Sequence, residues 1–462
     1  MSHGAGRPPV RSYRWIDWTV AGLTSRSQLD GVPILTFFLV MLIGIPARLV
    51  VGPLGAAGTP AQIIGMIALL WWTAAQFGRI DGERRTVQPV RRSMVVLGLA
   101  LLASYVAAMT RPIDGDELRA ADRGLLSYCA WLGLVLVASD GIPSRKRLDA
   151  LLRRLVIGGG VLAGLGILQF YTGLDLAKYL QIPGLSANGD FGFALQREGL
   201  RRPAGTATHP IEFGVVLAMI LPIALHYALE NGRPWLRRWW PVGLIALSLP
   251  ISLSRSAMLG GLVLLVFLIP SWPATRRRKA YVVIVGFFLT VYVGVPGLLG
   301  TLRNLFSGLL GGGDASTQSR TGSYSVAAQY ISERPIFGRG FGTFLTSLHI
   351  LDNQYLGMII DAGFVGLVAL LGIFVTGVLT ARGVRRRSDD PGVRSLAQSL
   401  AASAAVAGVS YATFDALGFP MCAALTFLVL GCIGALWRLY VSPATAVPVT
   451  EPRPPATQRF RI

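Results

Sequence analysis

Arg201 and Arg202 precede Pro203-Ala204-Gly205-Thr206 and then His209-Pro210, which leads straight into a long apolar run. A basic, glycine-containing segment feeding a helix start suits an anion, because backbone N–H groups and guanidinium donors converge there. Glycine in such a loop also serves turn geometry alone, so the motif leaves both readings open. His209, one of four histidines, reads first as a structural hydrogen-bonder and second as a catalyst. Further along, Leu351-Asp352-Asn353-Gln354-Tyr355-Leu356 opens another apolar run, with Asp361, Gly363 and Gly366 beyond it. A carboxylate in that position takes a proton from an acceptor hydroxyl or caps the helix, and one side chain can do both.

The elements that must position these residues are apolar. Just over half of the chain (52%) is hydrophobic and only 14% is charged, and runs long enough to cross ~30 Å of hydrocarbon recur throughout. Spans are predicted at 33–51, 61–77, 93–109, 120–139, 155–171, 211–229, 240–253, 256–269, 281–299, 355–380, 396–414 and 419–436. The expected fold is all-α, a polytopic transmembrane helical bundle with about twelve crossings. Segments 240–253 and 256–269 are short and meet at Ser254-Arg255-Ser256. As a re-entrant hairpin they would reduce the crossings to about ten and leave the chain ends unmoved.

The net charge of +20 raises the question of nucleic acid. The Lys and Arg residues instead alternate with the spans. Clusters at Arg84-Arg85, Arg91-Arg92, Arg145-Lys146-Arg147, Arg237-Arg238, Arg276-Arg277-Arg278-Lys279 and Arg385-Arg386-Arg387 fall on every second connection. By the positive-inside rule that side is the cytoplasm, which puts both termini there and removes nucleic acid as the expected partner. Residues 1–32 then form a cytoplasmic N-terminal segment and 33–441 the transmembrane domain, with long outer loops at 172–210 and 300–354. Residues 442–462 form a cytoplasmic tail rich in Pro, Thr and Arg, too poor in apolar surface to fold. The first span follows Arg7, Arg11, Arg14 and Arg26 with no small-residue cleavage site behind it, so it reads as an uncleaved anchor. Cys129, Cys422 and Cys432 lie inside predicted spans without metal-type spacing, and neither disulfide nor metal is expected.

On a polytopic scaffold, function concentrates in loops such as the two outer ones. The second carries Gly311-Gly312-Gly313, after which Tyr324, Ala327, Ala328 and Ile331 recur at helical spacing until Pro335. That pattern predicts a short amphipathic helix lying on the membrane. The positive charge left on the outer side is almost all arginine: Arg197, Arg201, Arg202, Arg255, Arg303, Arg320, Arg334 and Arg339. Guanidinium groups suit a bidentate grip on phosphate or carboxylate. Arg255 carries the most physical weight, since it sits between two apolar runs where an unpaired charge is costly. A phosphate-bearing ligand at the membrane surface would satisfy it, as would snorkelling from a tight turn.

Taken in order, these motifs resemble those of the O-antigen ligase and O-antigen polymerase superfamily of bacterial glycosyltransferases, over residues 201–366. The resemblance rests on R-x-x-G-T-x-x-x-P at 202–210, S-R-S at 254–256, Arg320 at the loop helix, P-x-x-G-x-G-x-x-x-F at 335–344, and D-N-Q-Y-L at 352–356 followed by Asp361, Gly363 and Gly366. It implies a GT-C-like fold in the cytoplasmic (inner) membrane of a bacterium. It also implies metal-independent transfer of a glycan from an undecaprenyl-diphosphate-linked donor at the outer face, without a cofactor. The same resemblance assigns the lipid diphosphate to Arg202, Arg255 and Arg320, and the role of general base in an inverting displacement to Asp352. Arg201, His209, Asn353, Tyr355 and Arg339 join the substrate-binding set. Asn353 would orient a sugar, and Tyr355 would stack on one or lie buried at the helix start.

Ligases of the superfamily typically carry His-Asn where this chain has Asp352-Asn353. That departure favours a polysaccharide polymerase over the ligase-like transfer of a finished glycan to a lipid or protein acceptor. Glu212 departs too, where relatives often have Asn. The expected partners are the lipid-linked donor, a glycan acceptor, membrane lipid and other polysaccharide-assembly proteins. A lipid-linked oligosaccharide transporter is the rival from another class. It would place ionisable residues inside the spans near the midplane, whereas here the span interiors are nearly free of charge, Asp361 being the clearest exception.

Overall fold

The computed structural model describes residues 30–77, 87–188, 196–197, 200–230, 232, 234–294, 300 and 315–441. The expected N-terminal segment up to residue 29, the tail 442–462, Arg303 and the run Gly311-Gly312-Gly313 lie outside the described residues.

Helices dominate: α1 Val32–Gly44, α2 Pro60–Phe77, α3 Pro89–Met109, α4 Gly115–Gly141, α5 Arg145–Thr172, α6 Pro210–Leu229, α7 Trp235–Ile251, α8 Arg255–Leu268, α9 Ala274–Gly294, α10 Ala315–Glu333, α11 Gln354–Arg387, α12 Pro391–Ser410 and α13 Pro420–Val441. Every apolar run singled out in the sequence lies at least in part on one of these helices, and α10 occupies part of the segment expected as the second outer loop. Among the described residues, α3, α4, α5, α6, α11 and α13 are each long and apolar enough to cross a membrane, and α1 and the segment 255–271 are shorter apolar helices. The chain is a multi-pass helical membrane protein. Two antiparallel two-residue ladders complete the secondary structure: β1 Leu49–Val50 with β2 Ser186–Ala187, and β3 Gln196–Arg197 with β4 Leu200–Arg201.

Local chemistry sets the helix limits. The Asp114 carboxylate accepts from Asp116 N and Glu117 N to start α4, Ser144 Oγ accepts from Arg147 N to start α5, and Asp390 does the same for α12 through Gly392 N and Val393 N. The helix α5 ends on Gly173 in the left-handed region, φ 74°, a conformation glycine adopts without cost. The first predicted span is shorter than the sequence suggested. Helix α1 stops at Gly44 because Pro46 disfavours a helical Ile45, whose ψ is 129°, and residues 49–50 run on as a strand instead.

The core sits around α6 and α13. Every residue of α13 from Pro420 to Leu436 is buried, the pattern of a helix apolar all round and enclosed by others. Trp131 of α4 stacks on Phe427 at 4.8 Å between ring centroids. Close approach of α2 and α4 depends on small residues: a Cβ on Gly133 would stand 2.2 Å from Gly65 O. By contrast α9 lies at the edge, with Val282, Val283, Val285 and Leu289 exposed.

Successive helices alternate between two ends of the bundle. At the basic end, ion pairs join neighbours: Arg147–Asp30, Arg91–Asp140 and Arg153–Glu230. The pair α7 and α8 follows α6 along its length twice. Arg238 donates to Glu230 O where α7 begins, and Arg202 Nε donates to Ser252 O where it ends. Helix α8 then returns, from Ala257 beside Gly214 to Phe267, whose carbonyl accepts from Gln398 Nε2 at 2.6 Å.

Candidate functional site

Four chain segments meet at the end of the bundle opposite the basic clusters: 200–209, 252–255, 351–353 and 411–419. The first is the basic glycine-containing segment. Gln169 of α5 pins its turn by accepting from Ala204 N (3.0 Å) and Gly205 N (2.9 Å). Thr206 ties it to the end of α1, donating from Oγ1 to Ile43 O (2.8 Å) and accepting at its carbonyl from Ala47 N (2.8 Å). Gly205 has φ 59°, and a Cβ there would meet Leu162 Cδ1 at 2.8 Å, so the glycine is required by the turn. Arg202 is buried and reaches Ser252 O with Nε at 3.4 Å. Arg201 is exposed, its guanidinium standing over Gly173.

His209 is the N-cap of α6, its Nδ1 accepting from Ile211 N at 3.1 Å. Burial and the neighbouring Arg202 charge lower its pKa to about 4. The ring is therefore neutral across the physiological range. Its face turns to Phe419 at 6.1 Å, and Phe419 packs on Phe414 at 5.2 Å, which carries the contact to the 411–419 segment.

Glu212, one turn into α6, went unassigned in the sequence and proves to be a junction. It is fully buried. Oε2 accepts from Thr208 N and Thr208 Oγ1, both at 2.7 Å, and Oε1 accepts from Met421 N (2.7 Å) and Cys422 N (3.1 Å). One carboxyl thus closes the first turn of α6 and caps α13, meeting backbone donors that each helix start leaves unpaired. Thr208 ahead of an acidic residue in the first turn is a local signal for the first half of this; nothing local marks the second.

The turn at 252–255 brings Arg255 to the start of α8, capped by Ser254 Oγ accepting from Ala257 N at 3.3 Å. Leu253 within it has φ 49°, and Asp352 has φ 51°. Among the described residues these are the non-glycine positions in the left-handed region. Strain of this sort, about 1–2 kcal/mol for each, concentrates at functional sites. Leu253 is held there by full burial against Phe170, Ile251 and Val291.

Asn353, and not Asp352, is the N-cap of α11. Its Oδ1 accepts from Tyr355 N (3.1 Å) and Leu356 N (3.3 Å). The capping role open to Asp352 in the sequence therefore belongs to its neighbour. Among the described residues no hydrogen bond reaches the Asp352 carboxylate, which is half-buried. Asp415 lies beside it and accepts from Asn353 N at 3.2 Å. Burial, and secondarily the Asp352 charge, push the Asp415 carboxyl above the usual carboxylate range. Tyr355 is half-buried and donates its hydroxyl to Gly408 O, so its polar tip is already committed.

The P-x-x-G-x-G-x-x-x-F segment at 335–344 builds a different structure. Helix α11 breaks at Gly363 (φ 65°, ψ −169°), and the segment docks into the break. Phe364 N donates to Pro335 O (2.8 Å), Arg339 N to Ile360 O (3.0 Å) and Gly340 N to Asp361 O (2.8 Å). The Asp361 carboxylate accepts from Gly342 N at 2.9 Å and Phe344 N at 3.0 Å. Gly338 and Gly363 let the two backbones touch, for a Cβ on either would stand 2.1–2.3 Å from a carbonyl oxygen of the other segment.

The arginines that the sequence assigns to the outer side divide accordingly. Arg339 pairs with Glu117, which also holds Arg111 at 2.5 Å, and lies over the Tyr330 ring at 5.2 Å. Arg334 donates to Ala107 O at 3.3 Å. Both fasten the loop to α3 and α4. Arg320 lies on α10, whose Ala327 packs with Leu351 and Ile360 at the head of α11. Arg197 lies on β3.

Residues 240–371 match the family model described as O-antigen ligase. The matched stretch runs from α7 into α11 and contains Arg255, Arg320, Arg339, Asp352 and Asp361, but not the 200–209 segment. No curated protein matches the chain.

Proposed function

We propose that this chain, a member of the O-antigen ligase and O-antigen polymerase superfamily, is an inverting glycosyltransferase that lengthens a glycan carried on a lipid diphosphate at the outer face of the cytoplasmic membrane. Members of that family are glycosyltransferase-like enzymes acting on lipid-linked glycan and an acceptor. The observation that carries the proposal is the Asp352 turn: a carboxylate at positive φ, relieved of capping by Asn353, at the same end of the bundle as the Arg202 and Arg255 segments.

In this mechanism Asp352 takes the proton of the acceptor hydroxyl as its oxygen attacks the anomeric carbon. The glycosidic bond to phosphate breaks on the opposite face, and the departing lipid diphosphate keeps the bonding electrons. Arg202, Arg255 and Arg320 stabilise the charge that develops on it. Asp415 holds the 352–353 turn in register, and Asn353 and Arg201 bind sugar or phosphate from the rim. His209, neutral and already bonded to Ile211 N, shapes the entrance to α6. Arg339 positions the loop through Glu117. The N- and C-terminal ends are cytoplasmic, α7 and α8 make separate crossings, and the whole forms about twelve spans in a GT-C-like arrangement.

Aspartate in place of the histidine typical of ligases favours the polymerase. The deciding experiment supplies purified, reconstituted protein with a lipid-diphosphate oligosaccharide and follows glycan length and free lipid diphosphate. Longer glycan with stoichiometric lipid diphosphate is the expected result. Transfer only onto an added lipid or protein acceptor would assign it to ligation. Unchanged substrate that moves across the liposome membrane would overturn the enzyme.

A further inference from the structure

At the basic end, opposite the candidate active site, a cavity of about 220 Å³ opens between the α8–α9 turn, the end of α11 and the start of α12. Ser271, Trp272 and Arg276 line one wall, Arg385 a second, and Arg394 and Ser395 the third. Arg385 is aimed by its neighbours: it donates to Gln398 Oε1, while Gln398 Nε2 donates to Phe267 O at 2.6 Å. The partner is a neutral amide, so this hydrogen bond leaves the Arg385 charge uncompensated.

Among the described residues, no carboxylate lies within ion-pair distance of Arg276, Arg385 or Arg394. Of the acids next to these arginines in sequence, Asp390 is engaged in capping α12 through Gly392 N and Val393 N. Ser395 faces His226, whose Nδ1 stands 2.9 Å from its Oγ, and His226 in turn meets Glu230 at 3.4 Å. Orientation in the membrane accounts for basic residues at a helix end, but not for three arginines from three elements converging on one cavity.

We propose that this cavity binds the phosphate of an anionic phospholipid headgroup. Three guanidinium groups supply the donors a phosphodiester needs, and pockets of this kind between membrane helices suit such headgroups. The volume is below that of a typical small-molecule site and suits a headgroup. Trp272 stands at the rim, where an indole favours the membrane–water interface. From the same turn, α9 runs away with Tyr281, Val282, Val285, Phe288 and Leu289 exposed, which provides an apolar face for the acyl chains.

The test uses the full chain in a neutral detergent, with phosphatidylglycerol, phosphatidylcholine or sodium phosphate added, read by thermal unfolding and by native mass spectrometry for retained lipid. Phosphatidylglycerol is expected to raise the unfolding midpoint and to stay bound, and phosphatidylcholine to do neither. Arg276→Gln with Arg394→Gln should weaken retention by about tenfold or more, while Arg277→Gln with Arg278→Gln, which removes the same charge beside the cavity, should leave it intact. Both double variants unfolding at the wild-type midpoint in neutral detergent separates lost binding from lost folding. Stabilisation by sodium phosphate that the Arg276 and Arg394 changes abolish would keep the phosphate site and assign it to a free ion. Equal loss of lipid in the two double variants, or no discrimination between the two lipids, would overturn the proposal.

Discussion

Asp352 and Asp361 stand at the two ends of the first segment of α11, and they are used in opposite ways. Asp361 is engaged throughout: each carboxylate oxygen accepts a loop N–H group, and its carbonyl accepts from Gly340 N and from Ser104 Oγ at 2.8 Å. Asp352 has no hydrogen bond to its side chain among the described residues and holds a φ of 51°. A carboxylate whose two oxygens each hold a backbone donor of a docked loop is an anchor, since yielding them to a substrate would undo the docking. One left open, on a turn that strain holds in place, is available for chemistry. The arginines differ in place as well, with Arg339 closed on Glu117 and Arg202 bonded to Ser252 O among the segments that meet at the site.

The largest effect is expected from Asp352→Asn. Turnover of a lipid-diphosphate oligosaccharide should fall about 10²–10⁴-fold, the usual contribution of a general base, with the thermal midpoint unchanged. A variant that turns over normally would remove Asp352 from the chemistry and erase the contrast with Asp361. Asp361→Ala is expected to act on stability instead. It leaves the half-buried Gly342 and Phe344 N–H groups without their carboxylate acceptor, at about 1–3 kcal/mol each, so folded yield and unfolding midpoint should drop. Asp361→Asn, which keeps one acceptor oxygen, should recover part of the loss. Arg339→Gln ranks third, costing about 1–2 kcal/mol as Glu117 loses one of two cationic partners. Donor affinity should hold, and its loss at normal stability would move Arg339 into the substrate path.

The smallest effect concerns His209. Its folded pKa of about 4 lies below the ordinary 6.5, so the unfolded chain takes up a proton first as pH falls between those values. Stability should therefore be full above about pH 6.5 and decline towards pH 4. His209→Asn keeps a capping oxygen and removes the titration, and melting curves across that range should flatten. An unchanged slope would assign the acid sensitivity elsewhere.

Helix positions were legible because apolar length is a strong signal in a membrane protein, and Arg145-Lys146-Arg147 or Arg385-Arg386-Arg387 mark helix ends as clearly as any cap. The site was legible in part. Arg202, Arg255 and Asp352 stood out through charge at an apolar boundary. What stayed hidden depends on partners far off in the chain. Arg339 meets Glu117 across 222 residues, and no local pattern reveals that an outer arginine is already neutralised. Asp415, placed against Asp352 by the 411–419 turn, has no local pattern around it that marks it out. The break in α11 was hidden for a related reason. Gly363 is tolerated inside a helical pattern, and only the docked 335–344 loop, which replaces the lost helical contacts, makes the break stable. Assigning the cap was finer still: Asp and Asn are equally good caps, and their order at 352–353 does not say which will serve.

Glu212 bears on how the chain is made. Its Oε1 accepts from Met421 N across 209 residues, so the donors to that oxygen belong to a helix that leaves the ribosome long after α6. At about 5–20 residues per second, the intervening stretch takes roughly 10–40 s to synthesise. Throughout that interval the start of α6 sits with a half-satisfied carboxyl, and the insertion of α13 completes it. Helix α13 therefore acts as a latch, closing this part of the core only once it has been made.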